Sequence, residues 1–245
     1  MTNDLHCYGR TGDQSSALAA IIAAGSTARQ IAGRSHNCVT GNYLSTKMAC
    51  AFPVESRGEE AVLLLADALE SITAFRAQAV RVCFLHEGKP CTAYPDLAVQ
   101  RLDNSVELWE TKPQGQASGK LVRRLRSLWL ALNNVGIPYR VRQPHWALRQ
   151  PIRTNALLVR RYANTRIGHI PAEDIHKHLL SSGTTPLGNI KVAFKASLPE
   201  ILALAAKGQI ALDMGTAPLG EKTPVRHASP GATSGCFTNL INKEI

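Results

Sequence analysis

Two carboxylates and a lysine stand at a spacing suited to metal-assisted attack on a phosphate. Asp96 lies in the segment Ala93-Tyr94-Pro95-Asp96-Leu97-Ala98-Val99, and the run Glu110-Thr111-Lys112 begins fourteen residues later. Side chains of a strand alternate between faces, so Val106, Leu108, Glu110 and Lys112 share one face while Glu107, Trp109 and Thr111 share the other. Glu110 and Lys112 then sit side by side, roughly 6–7 Å apart along the strand, where its apolar run ends. Asp96 falls on the preceding strand. Two hard-oxygen ligands and one ammonium at a strand end can hold Mg²⁺, or Mn²⁺ as its substitute, and set a water against a phosphate.

In that chemistry Asp96 and Glu110 ligate one or two Mg²⁺ ions, and the Thr111 carbonyl adds a further oxygen. Glu59, on the helix before the strands, binds metal directly or through water. Lys112 orients and deprotonates the attacking water, or stabilises charge on a phosphorane-like transition state. The expected product carries a 5′-phosphate and a 3′-hydroxyl. Glu107 is turned away from Lys112, and Gln78 is a candidate outer-shell or DNA-contacting amide. Each residue also has an ordinary reading: Glu110 and Lys112 as an exposed ion pair, Asp96 as turn chemistry after Pro95, Glu59 as a helix cap. Their convergence on neighbouring elements, followed at once by a basic helix, favours the site.

The charge distribution points to the same substrate. The 245 residues carry a formal charge of +10, and from Pro113 to Ala172 there are eleven Lys or Arg and no Asp or Glu. A stretch without acids leaves a positive field on some face, and nucleic acid is the commonest polyanionic partner. Lys120, Arg123, Arg124 and Arg126 are the first candidates for DNA contact; Lys47, with Tyr43 and Ser45, is another. A basic surface used only for solubility is the bland alternative. His169, His176 and His178 lie close in sequence, but residues two apart on a helix do not face each other, so no metal site is expected there. The six cysteines form no CxxC pair and read as reduced thiols of a cytoplasmic protein, not as a zinc site or disulfide frame. With DNA as the substrate, a nucleoid-associated location in a bacterial cytoplasm is expected. No run approaches the ~18 apolar residues of a bilayer span, so no membrane partner is expected, and Met1 to Arg10 lacks a signal pattern.

The elements that must hold the site can be read from periodicity. Val62, Leu63, Leu65, Ala66 and Leu69 mark a helix over about Ser56–Leu69, with Ser56 and Glu59 at capping-box spacing. Strands are predicted at Ala79–His86, Thr92–Gln100 and Ser105–Lys112, joined by short turns as an antiparallel meander. A helix over Gly119–Asn134, capped at Val135-Gly136, and a strand at Ile137–Arg142 complete an α/β layer domain spanning 29–150. Residues 1–28 read as a weakly ordered segment with a loose helix at Ser15–Ala24, and turns are expected between Arg29 and Met48. Beyond Pro151 come short helices at Asn155–Tyr162, Pro171–Leu180, Pro186–Phe194 and Leu198–Lys207. A hairpin of Gln209–Met214 and Thr223–His227 follows. That order suits a winged-helix-like domain over 151–227, with a flexible tail at 228–245.

Taken in order, these motifs resemble the TnsA endonuclease subunit of heteromeric cut-and-paste DNA transposases. The resemblance runs from Val39-Thr40-Gly41 and Ser45-Thr46-Lys47-Met48 through Glu55-Ser56-Arg57-Gly58-Glu59 and Gln78 to Tyr94-Pro95-Asp96 and Glu110-Thr111-Lys112-Pro113. It continues through Asn155-Ala156-Leu157-Leu158, Arg161-Tyr162 and Leu202 to Asp213, covering roughly residues 30 to 225. It implies a restriction-endonuclease-like mixed sheet flanked by helices, followed by a smaller winged-helix-like domain. It also implies active-site positions at Glu59, Asp96, Glu110 and Lys112; some members carry Gln where this chain has Glu110. Such a subunit nicks the 5′ ends of a mobile element while an integrase-type, TnsB-like partner cuts and joins the 3′ ends. An AAA+ ATPase regulator, TnsC-like, would dock on the C-terminal domain or tail. Two alternatives stay open. A stand-alone restriction or repair endonuclease would cleave DNA without partners, whereas a non-catalytic winged-helix DNA-binding regulator would tolerate Asp96→Ala.

Overall fold

The structure, a computed structural model, describes residues 3–7, 13–25, 27–28, 41–112, 118–168 and 172–229. It is mixed α/β. The chain opens with β1 (Asp4–His6) and α1 (Gln14–Ala24), then the hairpin β2 (Gly41–Ser45) and β3 (Cys50–Val54). Next come α2 (Arg57–Ala68), β4 (Ile72–Ala77), β5 (Arg81–His86), β6 (Lys89–Ala93), β7 (Leu97–Arg101) and β8 (Val106–Thr111). α3 (Gly119–Asn134) leads to β9 (Tyr139–Arg142), α4 (Pro144–Leu148), α5 (Ile152–Tyr162) and α6 (Ala172–Ser182). The last described elements are β10 (Thr185–Pro186), α7 (Leu187–Phe194), α8 (Leu198–Ala206), β11 (Ile210–Leu212) and β12 (Pro224–His227). The turns expected over 29–40, His169, Pro171, Cys38, Cys236 and nearly all of the 228–245 tail lie outside the described residues.

Four strands in the order β4-β7-β8-β9 form the sheet that matters here, antiparallel except for the parallel pair β8 and β9. The predicted single strand Thr92–Gln100 is a correction: it is two strands in two sheets. Pro95 has no N–H to donate, and at Tyr94-Pro95-Asp96 the chain leaves β6, paired with β5, and enters β7, paired with β4 and β8. The expected meander is therefore two hairpins. The β5–β6 turn has both central residues at positive φ, Glu87 at 50° and Gly88 at 74°, the backbone of a type I′ hairpin.

Alternation along the strands divides the core. Phe75, Leu97, Val99 and Trp109 face α2, whereas Ala98, Val106, Leu108, Tyr139 and Val141 face α1 and α3. Every residue of α2 from Ala61 to Ala68 is buried, because α4 and α5 cover the side that the sheet does not. A stretch buried on all sides and apolar but for Asp67 needs such enclosure, and each leucine so buried contributes about 1.5–3 kcal/mol. Gly58 sits in the first turn, where a Cβ would meet the Pro144 ring at 2.9 Å, so α4 closes tightly on the start of α2. The helix boundaries of α2 and α3 follow their capping residues, Ser56 and Ser118, as capping chemistry requires. The later helices and the β11–β12 hairpin follow the expected order, with β10 added beside β12. α5 and α8 pack on α2, so one apolar cluster runs from Tyr43 to Val225.

Candidate active site

Glu110 and Lys112 emerge on one side of the β8 end, as alternation requires. Their side chains form a 2.6 Å ion pair that is partly buried, with Glu110 14% and Lys112 28% exposed. Burial works to lower the Lys112 pKa, but Glu110 and Asp96 outweigh it and hold the ammonium above its usual range. Together with Tyr139 and Arg124, the pair lines a cleft of about 250 Å³ between the sheet and α3. Among the described residues the buried Tyr139 hydroxyl has no hydrogen-bond partner. Burial, then the nearby Glu110 and Asp96 carboxylates, push its pKa well upward.

Asp96 stands between the two faces, at the start of β7. Its Oδ2 accepts a 2.6 Å hydrogen bond from the Thr111 N–H, which ties the two strand ends together. Some of its surface stays accessible, yet desolvation of the carboxyl, with Glu110 next and Glu59 last, pushes its pKa up to about 8. Lys112 and the Thr111 N–H oppose that rise. On the α2 side, Asp96, Thr111, Glu59 and Gln78 surround a small cavity of about 20 Å³, room for one water-sized species. Gln78 is buried, and its Oε1 has no hydrogen-bond partner among the described residues.

The four expected catalytic residues thus meet at one sheet end, split between two faces. Glu59 reaches the α2-side cavity, but its carboxylate also serves the helix start: Oε2 accepts from the Glu55 N–H at 3.0 Å and Oε1 from the Ser56 hydroxyl at 3.1 Å. Among the described residues no three His, Cys, Asp or Glu side chains gather into a metal-ligating group. Glu107 points away, as expected, and is spoken for: it accepts from Trp109 and Arg101 at 2.6 Å and from Arg140 at 2.9 Å, with Arg142 at 3.6 Å. His176 meets not His178 but His227, their Nε2 atoms 2.8 Å apart. No family model matches the chain, and no curated protein matches it.

Of the expected DNA contacts, Lys120, Arg123, Arg124 and Arg126 are all exposed on α3, and Arg124 flanks the Glu110 cleft. Lys47 is different. Its ammonium donates to the carbonyls of Ala66, Leu69 and Ile72 at 2.7–3.0 Å, capping the end of α2. Burial pulls its pKa down to about 8, against Asp67 and Glu70. An ammonium committed to three carbonyls is not available to a phosphate, so Lys47 is corrected to a structural residue. Asp67 carried no sequence signal and organises this corner: its carboxylate accepts from Tyr43, Ser45, the Thr46 hydroxyl and the Thr46 and Lys47 N–H groups at 2.7–3.0 Å. Tyr43 and Ser45, expected near phosphate, are likewise turned inward. The one feature that could have pointed to a buried acid is the pair Ser45-Thr46, small hydroxyl residues of the kind that build carboxylate-binding turns.

Proposed function

We propose that this chain is a Mg²⁺-dependent DNA endonuclease of restriction-endonuclease-like architecture with a winged-helix-like C-terminal region, the TnsA-like subunit that opens the 5′ ends of a mobile element. The observation that carries the nuclease reading is the meeting of Asp96, Glu110 and Lys112 at one sheet end, with Glu59 alongside and exposed basic α3 flanking the cleft. The donors that would hold a hard divalent cation are the Asp96 and Glu59 carboxylates at the α2-side cavity, with the Thr111 main chain at the same strand end; Glu110, on the opposite face, is paired with Lys112. Bound there, Mg²⁺ would supply charge neutralisation and a water of lowered pKa.

The protein's own groups do the rest. Lys112, held protonated, stabilises negative charge building on the phosphoryl oxygens rather than removing a proton. Glu110 fixes that ammonium through their 2.6 Å contact. Arg124 and the other α3 cations receive the flanking phosphates and set the DNA path along the cleft. The transposase setting, with TnsB-like and TnsC-like partners, rests on the ordered sequence motifs.

Calorimetric titration of Mn²⁺ into the full chain and into Asp96→Ala tests the reading without needing partner proteins. Binding by the wild type and its loss in the variant are expected. A folded wild type that binds no Mn²⁺, alone or with DNA present, rules the metal-dependent reading out. Cleavage of end-bearing DNA only in the presence of partners then separates the transposase subunit from a stand-alone nuclease.

A further inference from the structure

Gln78 is a costly residue to keep where it stands. Its backbone is left-handed, with φ at 45°, a region glutamine rarely adopts. Two main-chain bonds hold it there: its N–H donates to the Asp96 carbonyl, and its carbonyl accepts from the Ala28 N–H, both at 3.0 Å. The side chain is 8% exposed, and its Oε1 is buried without a hydrogen-bond partner among the described residues. A buried acceptor with nothing to accept from is destabilising, and such groups persist where something else satisfies them. Gln78 lines the same 20 Å³ cavity as Glu59, Asp96 and Thr111.

We propose that the Gln78 Oε1 is a direct ligand of the divalent cation, a neutral hard-oxygen donor that joins Asp96 and Glu59 in the α2-side cavity. The inference rests on the metal-dependent reading above and deepens it. It explains the sharing of ligands at the sheet end: the α2 side holds two carboxylates and an amide oxygen, and Glu110 remains on the other face with Lys112. A neutral third donor completes coordination without adding another negative charge beside Asp96 and Glu59, which already repel one another. The opposite role is structural: with the amide turned over, its N–H₂ would donate to those carboxylates.

Substitution separates the two roles. Mn²⁺ is titrated calorimetrically into the full-length wild type, Gln78→Leu and Gln78→Glu, with the metal-free thermal midpoint measured for each. A ligand role predicts at least roughly tenfold weaker binding by Gln78→Leu. Gln78→Glu keeps or tightens binding, while its metal-free midpoint falls and its Mn²⁺-induced rise in midpoint grows. A donor role predicts that Gln78→Glu loses binding as its new charge repels the other carboxylates, and that result overturns the proposal even if Gln78→Leu fails to fold. Wild-type affinity in Gln78→Leu overturns it too, while leaving the nuclease reading intact. A folded wild type without Mn²⁺ affinity overturns both.

Discussion

Glu107 and Glu110 are three residues apart on one strand and have opposite occupations. Glu107, 3% exposed, faces Arg101, Arg140 and Arg142 and takes the Trp109 indole N–H; Arg142 also lies over the Trp109 ring, 4.4 Å from its centroid. Removing one partner from such a buried set strands the rest, at a cost of about 3–5 kcal/mol. Glu107→Ala should therefore lower the urea midpoint sharply while the folded fraction still binds Mn²⁺ with wild-type affinity. A midpoint near that of the wild type would show that the arginines find other partners. Alternation made this division legible in the sequence, since period two sends Glu107 and Glu110 to opposite faces. Asp67 and the unpartnered oxygen of Gln78 were not legible as such. The hydrogen-bond partners of Asp67 lie 20 to 24 positions before it, and Gln78 meets Glu59 and Thr111 only in the fold, so side-chain type alone does not reveal what surrounds either residue. The same limit applies to the acid-free stretch 113–172. Arg140 and Arg142 are neutralised by Glu107, and Arg160 lies 3.7 Å from Asp67, both acids from outside that stretch.

At the level of elements, β12 is latched to α6 by the His227–His176 contact. Two imidazole nitrogens 2.8 Å apart are joined by one proton, and protonating the accepting nitrogen would turn two N–H donors on each other. Burial first, then His176, lowers the His227 pKa below its ordinary 6.5. As pH falls, the unfolded chain takes up that proton before the folded one does. The latch's contribution is therefore complete above about pH 6.5 and is lost as pH falls through the window beneath it. Thermal midpoints at pH 7.5 and 5.5 should fall further for the wild type than for His227→Gln; equal falls would show that the pair does not report on pH. Long periodic helices such as α3 were readable to the residue, because an apolar stripe and a capping serine mark both course and start. The split of Thr92–Gln100 was not, because Pro95 marks a break without saying which sheet each half will join.

For the molecule as a whole, composition separated an α/β first part from a helical second part ending in a hairpin, and that order is what the fold contains. Packing was beyond its reach. Ala156 and Val159 of α5, and Ile201 and Leu202 of α8, are wholly buried in the cluster that also holds α2. A fragment ending at residue 150 would expose the face of α2 that these residues cover. It should accumulate as insoluble or dye-binding material; a soluble fragment unfolding in one cooperative step would contradict this. There is an evolutionary side to the same packing. A module that folds by itself can be fused beside new neighbours and keep working. Here the strands that carry Asp96 and Glu110 lean on a helix whose outer wall is encoded downstream. A gene rearrangement separating residue 150 from 151 would have to supply a substitute wall before the first half could be inherited alone.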